Sequence, residues 1–412
     1  MKKRVISLFL CAMMTTTIVG CGKGPEITTP TQTTNPSESA SEPASESSVS
    51  DDSAHKADHE SEHNIDAYNW VAEGEINYQK YLNDMLVLGS DKTNMCYSPL
   101  SFNTALEIYS KLIEDNEAKD EILDFINHIN YSQYESVTDE EDGVYKIVNR
   151  IWANSNWELN FDNMGVDDLL YFIDMSDSAT ATAKKNAYVD EQTNHFIQST
   201  PTVFDNDVLI DVMNVVYFKD AWYGGDLDMT SEDYDFINYD GTVVSKPMMI
   251  ADSNYYYEND SCYAIPMFYE NTGATFYAIY PKGSLEDVHI DDILSEDSRV
   301  SNDAYIRLPE FEAYVELNIS NYNDEIGLSH FDETKPLYTS EDKRTEITQV
   351  VKIKVDHEGT EAAAVTEMMD IANCAMPVQE PLDLTFDKPF YYMIEDINGD
   401  IAFIGRVMEL EN

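Results

Sequence analysis

The polar and apolar positions of this chain follow two rhythms. Tyr78, Leu82 and Met85 repeat at helical spacing, which gives one face to a core and the other to water. A second helix is predicted to start at Ser98, where the hydroxyl can cap the free amides of a first turn. Pro99 suits the first helical position, and Phe102, Leu106, Tyr109 and Ile113 form one stripe. Residues 144–152 read instead as a strand around Asn149, and residues 187–196 as a helix with a polar face. Residues 208–222 form a long apolar strand that holds one amide, Asn214, and breaks at Lys219-Asp220. An asparagine inside such a strand must be hydrogen-bonded or it is costly. A turn at Asp240-Gly241 is followed by the apolar runs 276–281 and 306–311, and the chain closes with 384–395 and 401–407 around Asn398-Gly399. Asn-Gly between apolar strands favours a hairpin, because both residues accept the positive φ of the turns that match strand twist. The folded part is read as beginning near residue 66, long enough for one large domain or two ordinary ones, and without internal repeats.

The preceding residues have another character. Residues 1–20 begin with Lys2, Lys3 and Arg4, continue as a mostly apolar run and end with Ile18-Val19-Gly20 before Cys21. That is the order of a secretory signal, and small residues directly before a cysteine resemble the bacterial lipobox, in which that cysteine carries lipid. Lipidation of Cys21 is therefore expected, with the protein held at the outer face of the cell membrane. The run itself is too short and polar to span a bilayer. Residues 21–65 are rich in Ser, Thr, Pro and Glu and have almost nothing large and apolar to bury, so they predict a disordered tether. His55, His59 and His63 would align on a helix, but the acids around them favour a solvated spacer over a metal site.

Charge narrows the partners. The 412 residues carry 78 acids against 25 Lys and Arg, a formal charge of −53. Such a field repels nucleic acid and anionic membranes and attracts basic partners, so membrane contact is expected only through the lipid. Cys11 leaves with the signal; Cys96, Cys262 and Cys374 remain, too far apart for a metal site or a disulfide framework. Gly-x-Ser-x-Gly, His-Glu-x-x-His and phosphate-cradling glycine loops are absent from the sequence. His128, His195, His289, His330 and His357 lie scattered among acids, and acid clusters such as 233–235 lack the spacing of a calcium loop. The prediction is a protein that is not an enzyme and uses no cofactor or metal.

The stretch 355–377 stands apart. Its first half, Glu358, Gly359, Thr360, Glu361, Ala362, Ala363, Ala364, Val365 and Thr366, would as a strand place Thr360, Ala362, Ala364 and Thr366 on one face. That face is small enough to bury. Yet Ala, Glu and Gly are poor strand formers, so nothing local commits the segment to strand or helix. It reads as a segment that changes state. This hinge resembles that of the serpin reactive loop. The Ser98-Pro99-Leu100-Ser101 box resembles the family's as well, as does the 208–222 strand with Asn214, Tyr217, Phe218, Lys219 and Trp222. Lys246-Pro247-Met248-Met249 and the closing hairpin follow in the family's order, so the resemblance covers about residues 70–410.

What the resemblance implies is an α+β serpin fold over residues 66–412, with three β-sheets, about eight or nine helices and an exposed reactive loop near 357–381. It implies a monomeric, extracellular inhibitor that a serine protease attacks as a substrate, and that traps the acyl-enzyme when the cut loop inserts into the main sheet. The hinge would be 358–366, and the sheet-opening region Ser98, Ser101, Asn214, Trp222 and Gln349. The scissile residue in the family lies about fourteen positions past the hinge glycine, a length set by the inserting strand. That points to Asn373 followed by Cys374, with Ala372, Ala375 and Met376 also candidates. Small uncharged residues there argue against a trypsin-like target, whose primary pocket carries an acid, and fit an elastase-like or subtilisin-like one. A cysteine or asparaginyl protease is the next choice, and a serpin-fold lipoprotein that only binds a ligand or partner is the rival. Three positions depart from the family pattern. His357 replaces a glutamate, and Gln349 replaces a histidine that bonds the residues matching Asn214 and Ser98. Asp370, on the face of Thr360, would be buried by full insertion at a cost of several kcal/mol unless paired or protonated.

Overall fold

The computed structural model describes residues 78–89, 92–126, 137–139, 143–291, 293–340, 348–360 and 380–411. The first elements are α1 (Tyr78–Leu88), β1 (Met95–Tyr97), α2 (Pro99–Ser110), α3 (Glu117–Ile126), β2 (Val137–Asp139), β3 (Gly143–Asn154), β4 (Leu170–Ile173), α4 (Ser178–Gln192) and β5 (Ile210–Ala221). Then come β6 (Tyr234–Ile237), β7 (Val243–Lys246), β8 (Met249–Ser253), β9 (Tyr256–Glu258), β10 (Cys262–Phe268), β11 (Thr275–Pro281), β12 (Arg299–Val300) and β13 (Ala304–Leu308). The last are β14 (Phe311–Asn318), α5 (Asn323–Ile326), β15 (Thr348–Val355), β16 (Gly359–Thr360), β17 (Leu382–Thr385), β18 (Phe390–Glu395) and β19 (Ile401–Val407).

The largest sheet runs β1-β19-β18-β11-β10-β9-β12. In β11 and β18, Phe276, Ala278, Tyr392 and Ile394 serve one core while Tyr277, Ile279, Tyr391 and Met393 serve another. Side chains alternate with a period of two, so both faces are covered, which is why these strands read as unbroken apolar runs. One face packs on Leu82, Met85, Phe102 and Leu106 of α1 and α2. The other meets Phe311 and Ala313 of β14 and Val351 and Ile353 of β15. The cap of α2 forms as its sequence predicts, with the Ser98 side chain accepting from Ser101 N.

A second sheet runs β16-β5-β3-β2, with β4 on β3, and its outer face is covered by α4 through Ala181 and Val189 against Trp152, Met213 and Val215. This helix spans Ser178–Gln192 rather than 187–196. The Asp177 side chain accepts from Thr180 N and starts the helix early, and the chain leaves it at Asn194 (φ 47) and His195 (φ 66). The remaining ladders are β17-β13-β8, β14-β15 and the hairpin β6-β7. The fold is of the α+β class, with five α-helices and four single 3₁₀ segments among the described residues. Hydrogen bonding divides the described strands into five sheets where three were expected, because the hairpin stands alone and β14-β15 is separated from β5.

Burial pushes the carboxyls of Asp84, Asp211, Glu395 and Asp396 above the ordinary carboxylate range. The native chain then holds protons that the unfolded chain releases. Stability accordingly rises as pH falls through those raised values and is lost as pH climbs back through them. Repulsion among the 78 acids acts in the same direction. Calorimetry is expected to give a higher melting midpoint near pH 5 than near pH 8. A lower one would mean that these four buried carboxyls do not hold their protons in the native chain near pH 5.

Candidate functional site

The site is a seam. β15 pairs with β14 from Phe311↔Val355 to Asn318↔Thr348, and β5 pairs with β3 on its other side. Among the described residues no ladder joins β5 to β15. Only β16 bonds to the β5 edge facing β15, with Gly359 opposite Ala221 and Thr360 opposite Asp220. After β15 the chain turns back, and Asp356 and Gly359 exchange N–H···O bonds of 3.0 and 3.2 Å. β16 is therefore antiparallel to both flanks. A chain continued in that direction would run down the seam and satisfy the edges of both strands.

Gly359 and Thr360, the second and third residues of the expected hinge, fit their places closely. Gly359 has φ +136, and a Cβ there would lie 2.3 Å from the carbonyl oxygen of Asp220, so a side chain is excluded on both counts. Thr360 is buried, as the inward face of the strand pattern requires, and its hydroxyl bonds the Tyr269 hydroxyl at 2.8 Å. Tyr269 stacks on Trp222 with ring centroids 4.8 Å apart and meets Phe218 edge-on. Trp222 Nε1 donates to the Asp356 carbonyl at 2.9 Å, which fixes the turn that aims the loop. Glu358 lies in that turn and its N–H donates to Asp356 Oδ1 at 3.0 Å.

The strand expected to break at Lys219-Asp220 continues to Ala221, and Asp220 is fully buried inside it. Its carboxylate accepts from Ala221 N at 2.8 Å, Asn271 N at 3.1 Å, Asn271 Nδ2 at 2.8 Å and Thr272 N at 2.7 Å. Charge-assisted bonds to this many donors offset removal of the charge from water. Asp220 thus moors the 270–274 loop that carries Tyr269 up to Thr360. The one signal in the sequence is an aspartate inside an apolar strand; all its donors but Ala221 N are far away in the chain.

Lower in the sheet, Gln349 forms a two-point clamp on Ser98, with Oε1 accepting from Ser98 N at 3.1 Å and Nε2 donating to Ser98 O at 2.9 Å. Ser98 Oγ donates to Ala402 O at 2.7 Å and accepts from Ser101 N at 3.2 Å. Asn214 does not join them. It donates to Asn149 Oδ1 at 2.6 Å across β5 and β3, and its own Oδ1 is buried without a partner among the described residues. The structure therefore brings Ser98, Ser101 and Gln349 together, keeps Asn214 apart, and places Trp222 about 26 Å further along β5 with the hinge. Cys21, hinge residues 361–366, Asp370, and Ala372, Asn373, Cys374, Ala375 and Met376 lie outside the described residues. Cys96 and Cys262 are buried and unpaired, and among the described residues no cluster of His, Cys, Asp or Glu is placed to hold a metal ion.

Among the described residues, then, β5 and β15 share no ladder, and Gly359 and Thr360 pair with the edge of β5. The family model described as "Serpin (serine protease inhibitor)" matches residues 80–410, and the chain belongs to the serpin family. It is 27% identical to an uncharacterized serpin-like protein of Thermococcus kodakarensis over 64% of this chain and 66% of that one. The fold is shared with the thermophilic serpin tengpin in its native state, with a TM-score of 0.65 at 20% identity over 82% of this chain and 96% of the other. It is shared equally with a thyroxine-binding globulin in complex with thyroxine, with a TM-score of 0.65 at 17% identity over 82% and 98%.

Proposed function

We propose that this serpin is an extracellular inhibitor of serine proteases, elastase-like or subtilisin-like in preference, which traps the acyl-enzyme by inserting its cut loop. The carrying observation is the seam between β5 and β15, with Gly359 and Thr360 already paired at its mouth. A loop that inserted along it would add about a dozen ladder hydrogen bonds at roughly 1 kcal/mol net each, comparable to the whole stability of a domain. The uncut state is then metastable. A strand of about 14 residues spans roughly 45 Å, so insertion carries an attached protease the length of the sheet and pulls its active site out of productive geometry. Export through residues 1–20 and anchoring at Cys21 complete the reading, and put the inhibitor on the outer face of the cell.

The test is incubation of the full chain with a panel of serine and cysteine proteases. A complex that survives denaturing electrophoresis is expected with at least one small-residue-specific serine protease. Mass spectrometry of the released fragment is expected to place its amino terminus at Cys374 or within about three residues of it, the length the inserted strand requires. Cleavage upstream of Met368 without complex would leave too short a strand and would favour the rival, a serpin that binds a ligand or partner. A complex confined to cysteine proteases would move the target class.

A further inference from the structure

The turn between β15 and β16 holds a histidine and a carboxylate that trapping does not use. Glu310 sits between β13 and β14, and one of its oxygens accepts two bonds from His357, from Nδ1 at 2.7 Å and from the main-chain N–H at 3.1 Å. The His357 carbonyl accepts from Leu227 N at 2.8 Å, on the chain leaving β5. His357 thereby ties the turn to both flanks of the seam, to the β14 corner through its side chain and to the β5 side through its backbone. Both side chains stay in reach of water, with relative exposures of 42% and 37%.

The surroundings are acidic. Asp356 and Glu358 flank His357 in the chain, and Lys354 is engaged by Asp356 Oδ2 at 2.6 Å. A cleft of about 470 Å³ opens beside the pair and is lined by Glu312, Glu409, Glu411 and Lys246 as well. Of these, Glu312 is paired with Lys352 at 3.2 Å. The bond to Glu310, then the fields of Glu310, Asp356 and Glu358, hold the proton on the imidazole and raise its pKa above the ordinary value. When that proton leaves, Nδ1–H can still donate to the carboxylate, but the imidazole's positive charge and its ion-pair attraction are gone, and Glu310 is left among like charges.

We propose that His357 and Glu310 form a proton-dependent clamp at the base of the reactive loop, which fastens the turn to the β14 corner when the imidazole is charged and loosens Gly359 and Thr360 in the seam when it is neutral. This goes beyond the trapping reading and stands independently of it, since it concerns the order of the uncut turn. The sign follows from the raised imidazole: the clamp is complete at pH below an ordinary histidine's range and is lost as pH rises through the raised value.

Hydrogen exchange of the full-length, uncut protein tests it. The peptide covering 356–360 is followed between about pH 5.5 and 8.5, with rates corrected for intrinsic base catalysis. Protection in the wild type is expected to fall about fivefold across that range, the upper end of what a half-exposed ion pair contributes. His357→Gln and Glu310→Gln are expected to show low protection that no longer depends on pH, while peptides from β18 stay as protected as in wild type. Wild-type protection that does not change with pH, or a fall of equal size in His357→Gln, overturns the clamp. So does an imidazole that titrates in the uncut protein, by NMR, at or below the value of a free histidine.

Discussion

Replacing Thr360 by Arg is expected to convert the inhibitor into a substrate. Thr360 is buried between β5 and the Tyr269–Trp222 stack, and its hydroxyl is already bonded to Tyr269. A guanidinium there must either displace the stack or keep the hinge out of the seam, at a cost of several kcal/mol. Asp220 is no ready partner for it, since its oxygens already face the amides of 271 and 272. The candidate scissile residue Asn373 is about a dozen positions away, so cleavage is expected at the same bond and a similar rate. Only the competition after acylation changes: insertion slows, deacylation wins, and the moles of inhibitor consumed per protease inactivated rise many-fold. Cutting the wild-type loop should also raise the melting midpoint by on the order of 20 °C, from a dozen added ladder bonds in a domain of this size, and the variant should show little of that rise. Equal inhibition by both proteins, or no gain in the cut wild type, would mean that the loop does not insert and would favour the binding-only rival.

The parts of this site that were legible in the sequence are those specified locally. The Ser98 cap with Pro99 behind it, the stripe of Phe102, Leu106 and Tyr109 and the inward face of Thr360 need only the spacing of one element to be read, whereas Ile113, expected on the same stripe, lies past the end of α2 at Ser110 and bridges to Pro336. The partners that make the site work come from elsewhere in the chain. Asp220 looked like a strand end because a charge is costly in a core, and only the turn at Asn271 and Thr272 explains how it stays there. Tyr269 was one aromatic among many until the fold set it against Thr360. The family pattern joined Asn214, Ser98 and the residue at 349 in one network. With Gln in place of a ring, the amide reaches both backbone groups of Ser98, and Asn214 pairs with Asn149 instead. His357 could be recognised as a departure, but its partner Glu310 depends on how the β13–β14 corner meets the turn.

Asp220→Ala should be among the most destabilising single changes in the domain. It removes no large side chain, yet it leaves Ala221 N and Thr272 N without their acceptor in a buried place, while Asn271 N and Nδ2, on an exposed residue, lose the acceptor but can turn to water. Each of the two buried donors costs about 1–3 kcal/mol when stranded, and local relaxation recovers part of that, so a loss on the order of 2–4 kcal/mol is expected in urea unfolding. The effect should spread to the hinge. The 270–274 loop also bonds β5 through Glu270 N to Ala221 O at 2.9 Å, and closes on itself through Tyr269 N to Ala274 O at 3.2 Å. Once its carboxylate anchor is gone, Tyr269 loses its fixed position and Thr360 its partner, so limited proteolysis near the hinge should quicken along with the loss of stability. Asp220→Asn separates volume from charge. Its amide keeps one acceptor but turns a donor towards either the Asn271 or the Thr272 amide, and it should recover no more than about half of the loss. If Asp220→Ala unfolds at the same urea concentration as wild type, the carboxylate does not moor the 270–274 loop, and the support of Thr360 must come from the Trp222 stack alone.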